Sequence, residues 1–353
     1  MSSWPSLVLL LMFLVSAAVI WGAGIKLSEY TDVLAERMHL GQALGGVVLL
    51  AVATNLPEIA ITVSAAMSGD VEVAVGNILG GIALQTVVLV LIDAFGTRER
   101  KPLTYLAGSL TLLVEAALVI AVLCVVVAGS QLPADLIALR LTPGPVLILV
   151  LWVVGLGLIS GPGSRLPWTD RGEAPGSQQK PRGHSRTATE QRASARKIST
   201  TRAATVFGVA ALLTLGAGVV IERSGESFFG NLGLSGILFG ATVLAAATSL
   251  PEVSTGLAAA RSGDYKLAMG DIFGGNAFLP VLFLLVTLIS GKAVLPQAQA
   301  ADIYLTALGA LLTLVYLLGL LFRPRRQVLR MGVDSLTVLV LYALGVVGLI
   351  ALQ

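Results

Sequence analysis

Two copies of one motif lie 194 residues apart in this chain, and each places a glutamate next to a proline inside a long apolar stretch. The first copy is Ala51–Glu58, AVATNLPE, and the second is Ala245–Glu252, AAATSLPE. The surrounding segments Leu50–Gln85 and Leu244–Leu279 align without a gap and are identical at 18 of 36 positions. The chain is therefore an internal duplication. An ionisable residue inside a membrane span is costly and indicates function, and a broken helix at mid-span in each half is typical of a transport site.

The composition fixes the class of protein. Of 353 residues, 56% are hydrophobic and 12% are charged, with a mean hydropathy of +0.88, whereas a soluble domain is about 25% charged. The single cysteine, Cys124, excludes an internal disulfide. No histidine or cysteine lies near the two glutamates, which argues against an enzyme and against a resident cofactor. We expect an all-α polytopic membrane protein with no nucleic-acid partner.

Apolar runs of about 20 residues predict ten spans, five in each half of the chain. They are 5–24, 41–67, 71–96, 102–128, 143–160, 203–222, 233–260, 265–290, 300–322 and 334–352. The predicted halves are 1–160, with its repeat at about 41–96, and 203–353, with its repeat at about 235–290. The segment 161–202 carries nine Lys/Arg against three Asp/Glu and is rich in Pro, Gly, Ser and Thr, which predicts a flexible linker.

The positive-inside rule predicts the orientation. A cytoplasmic linker places two further basic clusters, 98–101 and 323–330, in the cytoplasm as well. Both termini then face outward, and an odd number of spans separates the repeats, so they insert upside down relative to each other. The Ser68 turn is expected outside the cell and the Ser262 turn inside. The plasma membrane is the expected location.

Each proline should break its helix, because it has no N–H and disfavours helical geometry in the preceding residue. The sequence Ser249-Leu250-Pro251-Glu252 also fits a capping box, which would make the glutamates simple helix starts. A purely structural carboxylate near mid-span is expensive, so we favour a cation site. A cap and a ligand are compatible roles.

Ca²⁺ takes 6–8 oxygen ligands. Glu58, Glu252, Thr54 and Thr248 could supply such a set together with backbone carbonyls near Ala51, Ala53, Ala245 and Ala247. Two carboxylates neutralise one divalent cation, and without it they would repel each other and bind protons readily. Competition between a divalent cation and protons or a monovalent ion at one site is a physical route to exchange.

The paired segments resemble the repeats of the Ca²⁺/cation antiporter superfamily, which contains sodium/calcium and cation/proton exchangers. The resemblance implies ten helices in two inverted five-helix repeats and antiport of Ca²⁺, or a related cation, for H⁺ or Na⁺ by alternating access. It implies inorganic cations and membrane lipid as the partners and leaves the oligomeric state open. Glu58 and Glu252 would be the central acids, and the first and sixth spans would be sliding gate helices. Further oxygens would come from Thr54, Asn55, Thr248 and Ser249.

The chain departs from that family where a Gly-Ser-Asn-x-Phe-Asn/Asp motif is common. The corresponding stretches read GGIALQ from Gly80 to Gln85 and GGNAFL from Gly274 to Leu279. Oxygens associated with sodium sites are therefore missing, which favours coupling to protons. If sodium were the driving ion, Gln85, Asn276 and Glu115 would be the first alternative ligands.

Two further acids are accessory candidates for the cation site. Asp271 would lie either on the access path or at the start of the helix near Leu267, as its cap. Glu115 lies deep in the fourth span with no charged neighbour within a turn, either as a proton relay or second-cation ligand, or as a neutral or hydrogen-bonded carboxyl. A passive cation channel and an exchanger-like fold repurposed for another cation remain alternatives to antiport.

Overall fold

The fold is given by a computed structural model. It describes residues 4–37, 49–97, 99, 101–160, 198–234 and 238–352. Most of the predicted linker, 161–202, and the start of the first repeat, 41–48, lie outside the described residues, as do His39 and His184.

The described chain is almost entirely helical. The first half contains α1 (Ser6–Arg37), α2 (Leu49–Thr54), α3 (Leu56–Ser68), α4 (Val71–Gly96), α5 (Leu103–Ala107), α6 (Leu110–Ser130) and α7 (Pro143–Ser160). The second half contains α8 (Thr200–Gly230), a π-helical turn (Phe239–Leu244), α9 (Ala245–Thr248), α10 (Leu250–Ser262), α11 (Tyr265–Phe278), α12 (Leu282–Ser290), α13 (Ala300–Phe322) and α14 (Val333–Ala351). Short 3₁₀ turns occupy Leu279–Val281 and Leu295–Gln297, and two strands, β1 (Gln327–Val328) and β2 (Met331–Gly332), form an antiparallel hairpin.

Seven of these helices are long and apolar enough to cross a membrane, and the bent pair Phe239–Thr248 and Leu250–Ser262 forms an eighth candidate. Two shorter apolar helices, Leu56–Ser68 and Pro143–Ile159, occupy the remaining predicted positions. The all-α polytopic class is confirmed, and the elements are consistent with ten spans. The exact count stays a prediction.

The repeats break where the prolines predict. In the first repeat α2 ends at Thr54 and α3 begins at Leu56, and in the second α9 ends at Thr248 and α10 begins at Leu250. The second break bends the span by 46°. Each broken span ends in a left-handed glycine, Gly69 at φ 87° or Gly263 at φ 88°, and this tight turn returns the chain into α4 or α11.

The centre of the molecule is formed by α4 and the α11–α12 segment. In their most apolar windows 72% and 67% of residues are buried, against 33% for α1 and 28% for α8. Exposed apolar side chains cover the outer faces of the outer helices, for example Leu14 on α1 and Leu212 on α8. Such a surface suits contact with lipid.

Helices α1 and α8 pack extensively against each other and reach the repeats through glycines. A methyl group on Gly24 would lie 2.7 Å from Cβ of Pro251, and one on Gly218 would lie 3.2 Å from the carbonyl oxygen of Pro57. Gly24 and Gly218 are 194 residues apart, the same offset as the glutamates. The duplication is therefore preserved in the packing as well as in the sequence.

Several boundaries differ from prediction. Helices α1 and α8 extend well beyond the predicted spans 5–24 and 203–222, because hydropathy detects only the apolar part of a helix. The predicted span 102–128 is divided into α5 and α6, with Ser109 capping α6 through a hydrogen bond from the Thr111 amide. The strand hairpin was not predicted, because its turn uses Leu329 and Arg330 at positive φ rather than the glycine or asparagine that signals such a turn.

Candidate functional site

The two glutamates of the repeated motif lie together in the interior. Glu58 is fully buried and Glu252 is 1% exposed. Gln85, on α4, joins them, because its Nε2 atom lies 3.3 Å from Glu58 Oε1 and 3.5 Å from Glu252 Oε1. The same nitrogen lies 3.2 Å from Asn55 Oδ1. One amide group thus faces both carboxylates and an amide oxygen of the first repeat.

The threonine of each motif lies near the glutamate of the other motif. The Thr248 hydroxyl lies within hydrogen-bonding reach of the Glu58 carboxylate, and the Thr54 hydroxyl within reach of the Glu252 carboxylate. Each acid therefore lies near a hydroxyl of the opposite repeat, while the same hydroxyls lie 3.3 Å (Thr54) and 3.2 Å (Thr248) from the carbonyl oxygens of Ala51 and Ala245. Both threonines are fully buried, as is Asn55.

Several oxygens at this site have no hydrogen-bond partner among the described residues. They are Glu58 Oε2, Glu252 Oε2, Gln85 Oε1 and Ser249 Oγ. A buried acceptor without a partner costs about 1–3 kcal/mol, so a cluster of them indicates groups arranged for a ligand that donates protons or carries positive charge. In the described parts of the chain the salt bridges are Lys26–Glu29 and Lys101–Glu99, so no lysine or arginine there neutralises the pair.

The capping-box interpretation of Ser249 and Glu252 is wrong. Ser249 precedes α10 but makes no side-chain capping bond, and Glu252 lies instead by Gln85 and Thr54. Asn55 likewise makes no capping bond at the start of α3. Both glutamates lie in the first turn of their helices, yet their carboxylates are directed to the other repeat.

Backbone carbonyls at the breaks are partly occupied. The Ala51 oxygen accepts from Asn55 Nδ2 at 2.6 Å, and the Ala245 oxygen accepts from the Thr248 hydroxyl at 3.2 Å. Pro57 and Pro251 cannot donate to the carbonyls four residues earlier, which belong to Ala53 and Ala247. The carbonyls of Ala53 and Ala247, rather than those of Ala51 and Ala245, therefore lack a helical N–H donor.

Close helix contacts enclose the site. A methyl group on Gly275 would lie 2.8 Å from Asn55 Nδ2, and one on Gly80 would overlap the Cα atom of Ala241. A methyl group on Gly81 would lie 3.5 Å from Cδ1 of Leu279. An apolar side chain thus occupies one position where the resemblance places a polar ligand in relatives.

Asp271 and Asn276 lie on α11 beside this centre. Asp271 Oδ2 accepts from the Thr255 hydroxyl at 2.8 Å, and its carboxylate interacts electrostatically with Glu252. Asp271 does not cap the helix, because α11 begins at Tyr265 and Asp264 is its cap. Asn276 Nδ2 lies 3.1 Å from the Thr86 hydroxyl and therefore ties α11 to α4.

Glu115 is buried at a separate position. A methyl group on Gly270 would lie 3.4 Å from Glu115 Oε2, and that oxygen has no hydrogen-bond partner in the described ranges. Glu115 lines an apolar cavity together with Leu118, Trp152, Leu156, Phe273 and Ala51. No described hydrogen bond joins it to the paired glutamates.

The bridging position of Gln85 is the feature that sequence reasoning missed. The sequence marks Gln85 as a departure from a family motif and as a candidate ligand, but not as a bridge between the two acids. Gln85 lies one helical turn after Gly81 on α4, and this position was the available signal for a role in the site. Its alignment partner Leu279 carries no amide, so the repeat does not reveal a shared role.

Comparisons with known proteins agree with this architecture. The family described as sodium/calcium exchanger protein matches residues 8–162 and 202–351. The candidate antiporter CaxA of Alkalimonas amylolytica is 30% identical over 302 residues, covering 83% of this chain and 85% of that protein. Two solved structures share the fold. The H⁺/Ca²⁺ exchanger CAX has a TM-score of 0.63 at 14% identity, covering 97% of this chain and 82% of CAX, and the sodium-calcium exchanger NCX_Mj has a TM-score of 0.60 at 15% identity, covering 97% and 99%.

Proposed function

Because this chain belongs to the sodium/calcium exchanger family, we propose that it is a secondary active antiporter that exchanges Ca²⁺, or a related divalent cation, for protons. The observation that carries the proposal is the burial of Glu58 and Glu252 around one shared amide, Gln85 Nε2. The proposed site combines these three residues with Asn55, Thr54, Thr248 and Ser249.

Charge balance supports a site that alternates between two loads. Two carboxylates in a dry interior need two positive charges, and either one divalent cation or two protons supplies them. Glu58, Glu252, Gln85, Asn55 and the motif hydroxyls offer oxygen ligands, which Ca²⁺ prefers. Exchange would then leave the net charge of the loaded site unchanged.

The apolar contact at Leu279 favours protons over sodium as the driving ion. Separate sodium sites would each need several oxygens, whereas Gly81, Gly275 and Leu279 have none in their side chains. Protons need only the two carboxylates. Asp271, Asn276 and Glu115 are accessory candidates in this proposal. Of the two acids among them, Asp271 interacts electrostatically with Glu252.

The packing of helices α1 and α8 against the repeats supports alternating access. Helix α1 reaches Pro251 through Gly24, and α8 reaches Pro57 through Gly218, so the same kind of contact lies next to each glutamate. Sliding of α1 and α8 over these small residues would expose the site to one side at a time. We place the protein in the plasma membrane with both termini outside and the linker 161–202 in the cytoplasm.

Gradient-driven transport tests the proposal. Purified protein in proteoliposomes should take up radiolabelled Ca²⁺ when a pH gradient is imposed alone with the membrane potential clamped, and much less when a Na⁺ gradient is imposed alone. Uptake that follows sodium and ignores pH would overturn the proposed coupling. Uptake that needs no counter-ion on the opposite side would instead indicate a passive channel, and proton-coupled uptake of another cation without Ca²⁺ would indicate a repurposed site.

A further inference from the structure

Three basic side chains surround one aromatic ring at the end of the molecule opposite the Ser68 turn. Lys101 Nζ lies 5.4 Å from the Tyr105 ring centroid, and the guanidinium carbons of Arg323 and Arg325 lie 5.8 Å and 5.7 Å from it. Tyr105 itself is only 6% exposed. We call Lys101, Tyr105, Arg323, Arg325 and the neighbouring Arg326 the Tyr105 patch.

Arg323 has a structural role within the Tyr105 patch. Its backbone ends α13 in the left-handed region at φ 49°, and its Nη2 donates to the Tyr105 carbonyl at 3.0 Å. It therefore joins the segment after α13 to the short helix α5. Lys101 has a 45% exposed side chain and Arg325 is exposed, so these two cations extend from the anchored ring to the surface.

Positive charge is in excess here. The described residues 99–105 and 323–332 contain five basic side chains and one exposed acid, Glu99, which lies 3.7 Å from Lys101. The nearby buried acids already accept hydrogen bonds, Asp93 from Gly332 N at 2.7 Å and Asp334 from the Thr104 hydroxyl. Contact with the ring offsets part of the mutual repulsion of the cations, and an anion would offset it further.

The position of the Tyr105 patch identifies the kind of anion. Lys101 follows the end of α4, and Arg323 follows the end of α13, and both helices are membrane-span candidates. A patch at the ends of two such helices is expected at the level where phospholipid phosphates border the hydrocarbon layer. Tyrosine, lysine and arginine are the residues that favour this level, and basic clusters here attract anionic lipid.

We propose that the Tyr105 patch binds the phosphodiester headgroup of an anionic phospholipid, with Lys101 and Arg325 contacting the phosphate. Arg323 holds α5 in place beneath it, and the guanidinium of Arg325 offers the planar set of donors that suits phosphate oxygens. The site is independent of the proposed transport chemistry, because none of its residues belongs to the glutamate centre.

Lipid titration of the full chain in detergent tests this site. Phosphatidylglycerol should raise the Tm of the wild-type protein more than phosphatidylcholine does, and native mass spectrometry should show retained phosphatidylglycerol. The double variant Lys101→Gln/Arg325→Gln should bind phosphatidylglycerol more weakly by roughly tenfold or more. Arg202→Gln/Arg261→Gln, which removes two exposed charges elsewhere, is the matched control and should bind like wild type.

A second double variant that conserves both charges separates loss of lipid binding from poor folding. Lys101→Arg/Arg325→Lys should retain the lipid effect even if the glutamine pair folds poorly. Equal binding by the glutamine variant and wild type would overturn the proposal. A Tm response to inorganic phosphate as large as that to phosphatidylglycerol would show a free-anion site only, and would overturn the assignment to lipid.

Discussion

Gln85 is a residue whose side chain lies near the central glutamates of both repeats. Its amide nitrogen carries two hydrogens but faces three oxygens, from Asn55, Glu58 and Glu252. Because all three neighbours are acceptors when the acids are charged, the amide atom that faces them is assigned as the nitrogen. Gln85 Oε1 has no hydrogen-bond partner among the described residues, so in the proposed site this oxygen is available as a cation ligand.

Removing this amide should weaken the site without removing either acid. We expect Gln85→Leu to weaken Ca²⁺ binding by on the order of tenfold or more, because hydrogen bonds to charged groups contribute about 1.5–3 kcal/mol. Gln85→Asn, which keeps an amide on a shorter chain, should retain part of the affinity. Equilibrium binding of radiolabelled Ca²⁺ to purified protein measures both, with the exposed Gln131→Leu as the control. Wild-type affinity in Gln85→Leu would contradict a role in the site.

At the residue scale the sequence predicts the acids better than their partners. Duplication of Glu58 and Glu252 inside apolar stretches is visible in the sequence, and the structure brings them together. The crossed contacts of Thr54 and Thr248 are not visible, because they depend on how the two broken helices face each other. The capping prediction for Ser249 failed although the sequence matches the motif. The Glu252 carboxylate has its partners in the other repeat, so it does not reach back to the start of its own helix.

At the scale of elements, the breaks before Pro57 and Pro251 follow directly from the lack of an N–H in proline. The π-helical turn Phe239–Leu244 lies in the second repeat, where the backbone of Ala241 closely approaches Gly80 of α4, and the counterparts 45–48 of the first repeat lie outside the described residues. The close contact between Ala241 and Gly80 joins distant parts of the chain and is not visible in a single sequence. Likewise, the full lengths of α1 and α8 extend past the apolar residues that predict them.

Gly218 tests whether α8 must move against α3. A side chain there would lie 3.0 Å from Cβ of Ala60 and 3.2 Å from the Pro57 carbonyl, so Gly218→Leu should slow exchange by on the order of tenfold through overpacking. Gly216 lies on the same helix with no atom within 4 Å of an added methyl group, so Gly216→Leu should exchange like wild type. Initial rates in proteoliposomes make the comparison. Equal rates for the two variants would show that this contact does not limit transport.

At the scale of the whole molecule, the inverted arrangement places equivalent turns on opposite sides. Ser68 and Ser262 are both exposed and precede the left-handed glycines of the two repeats. In a Cys124→Ser background, Ser68→Cys should react with an impermeant thiol reagent added outside cells, and Ser262→Cys only after the membrane is opened. Labelling of both from one side would exclude inverted insertion.

The central claim is that Glu58 and Glu252 hold either one divalent cation or protons. The most direct measurement is proton release on Ca²⁺ binding to purified protein in weakly buffered detergent solution, with bound radiolabelled Ca²⁺ counted in parallel. We predict one Ca²⁺ per chain and release approaching about two protons per Ca²⁺ at acidic pH, with the protons assigned to the pair. Glu58→Gln and Glu252→Gln should each abolish binding and release while remaining folded, and the exposed Glu29→Gln should behave like wild type. Ca²⁺ binding with no proton release, or unchanged release in both glutamine variants, would contradict the shared site.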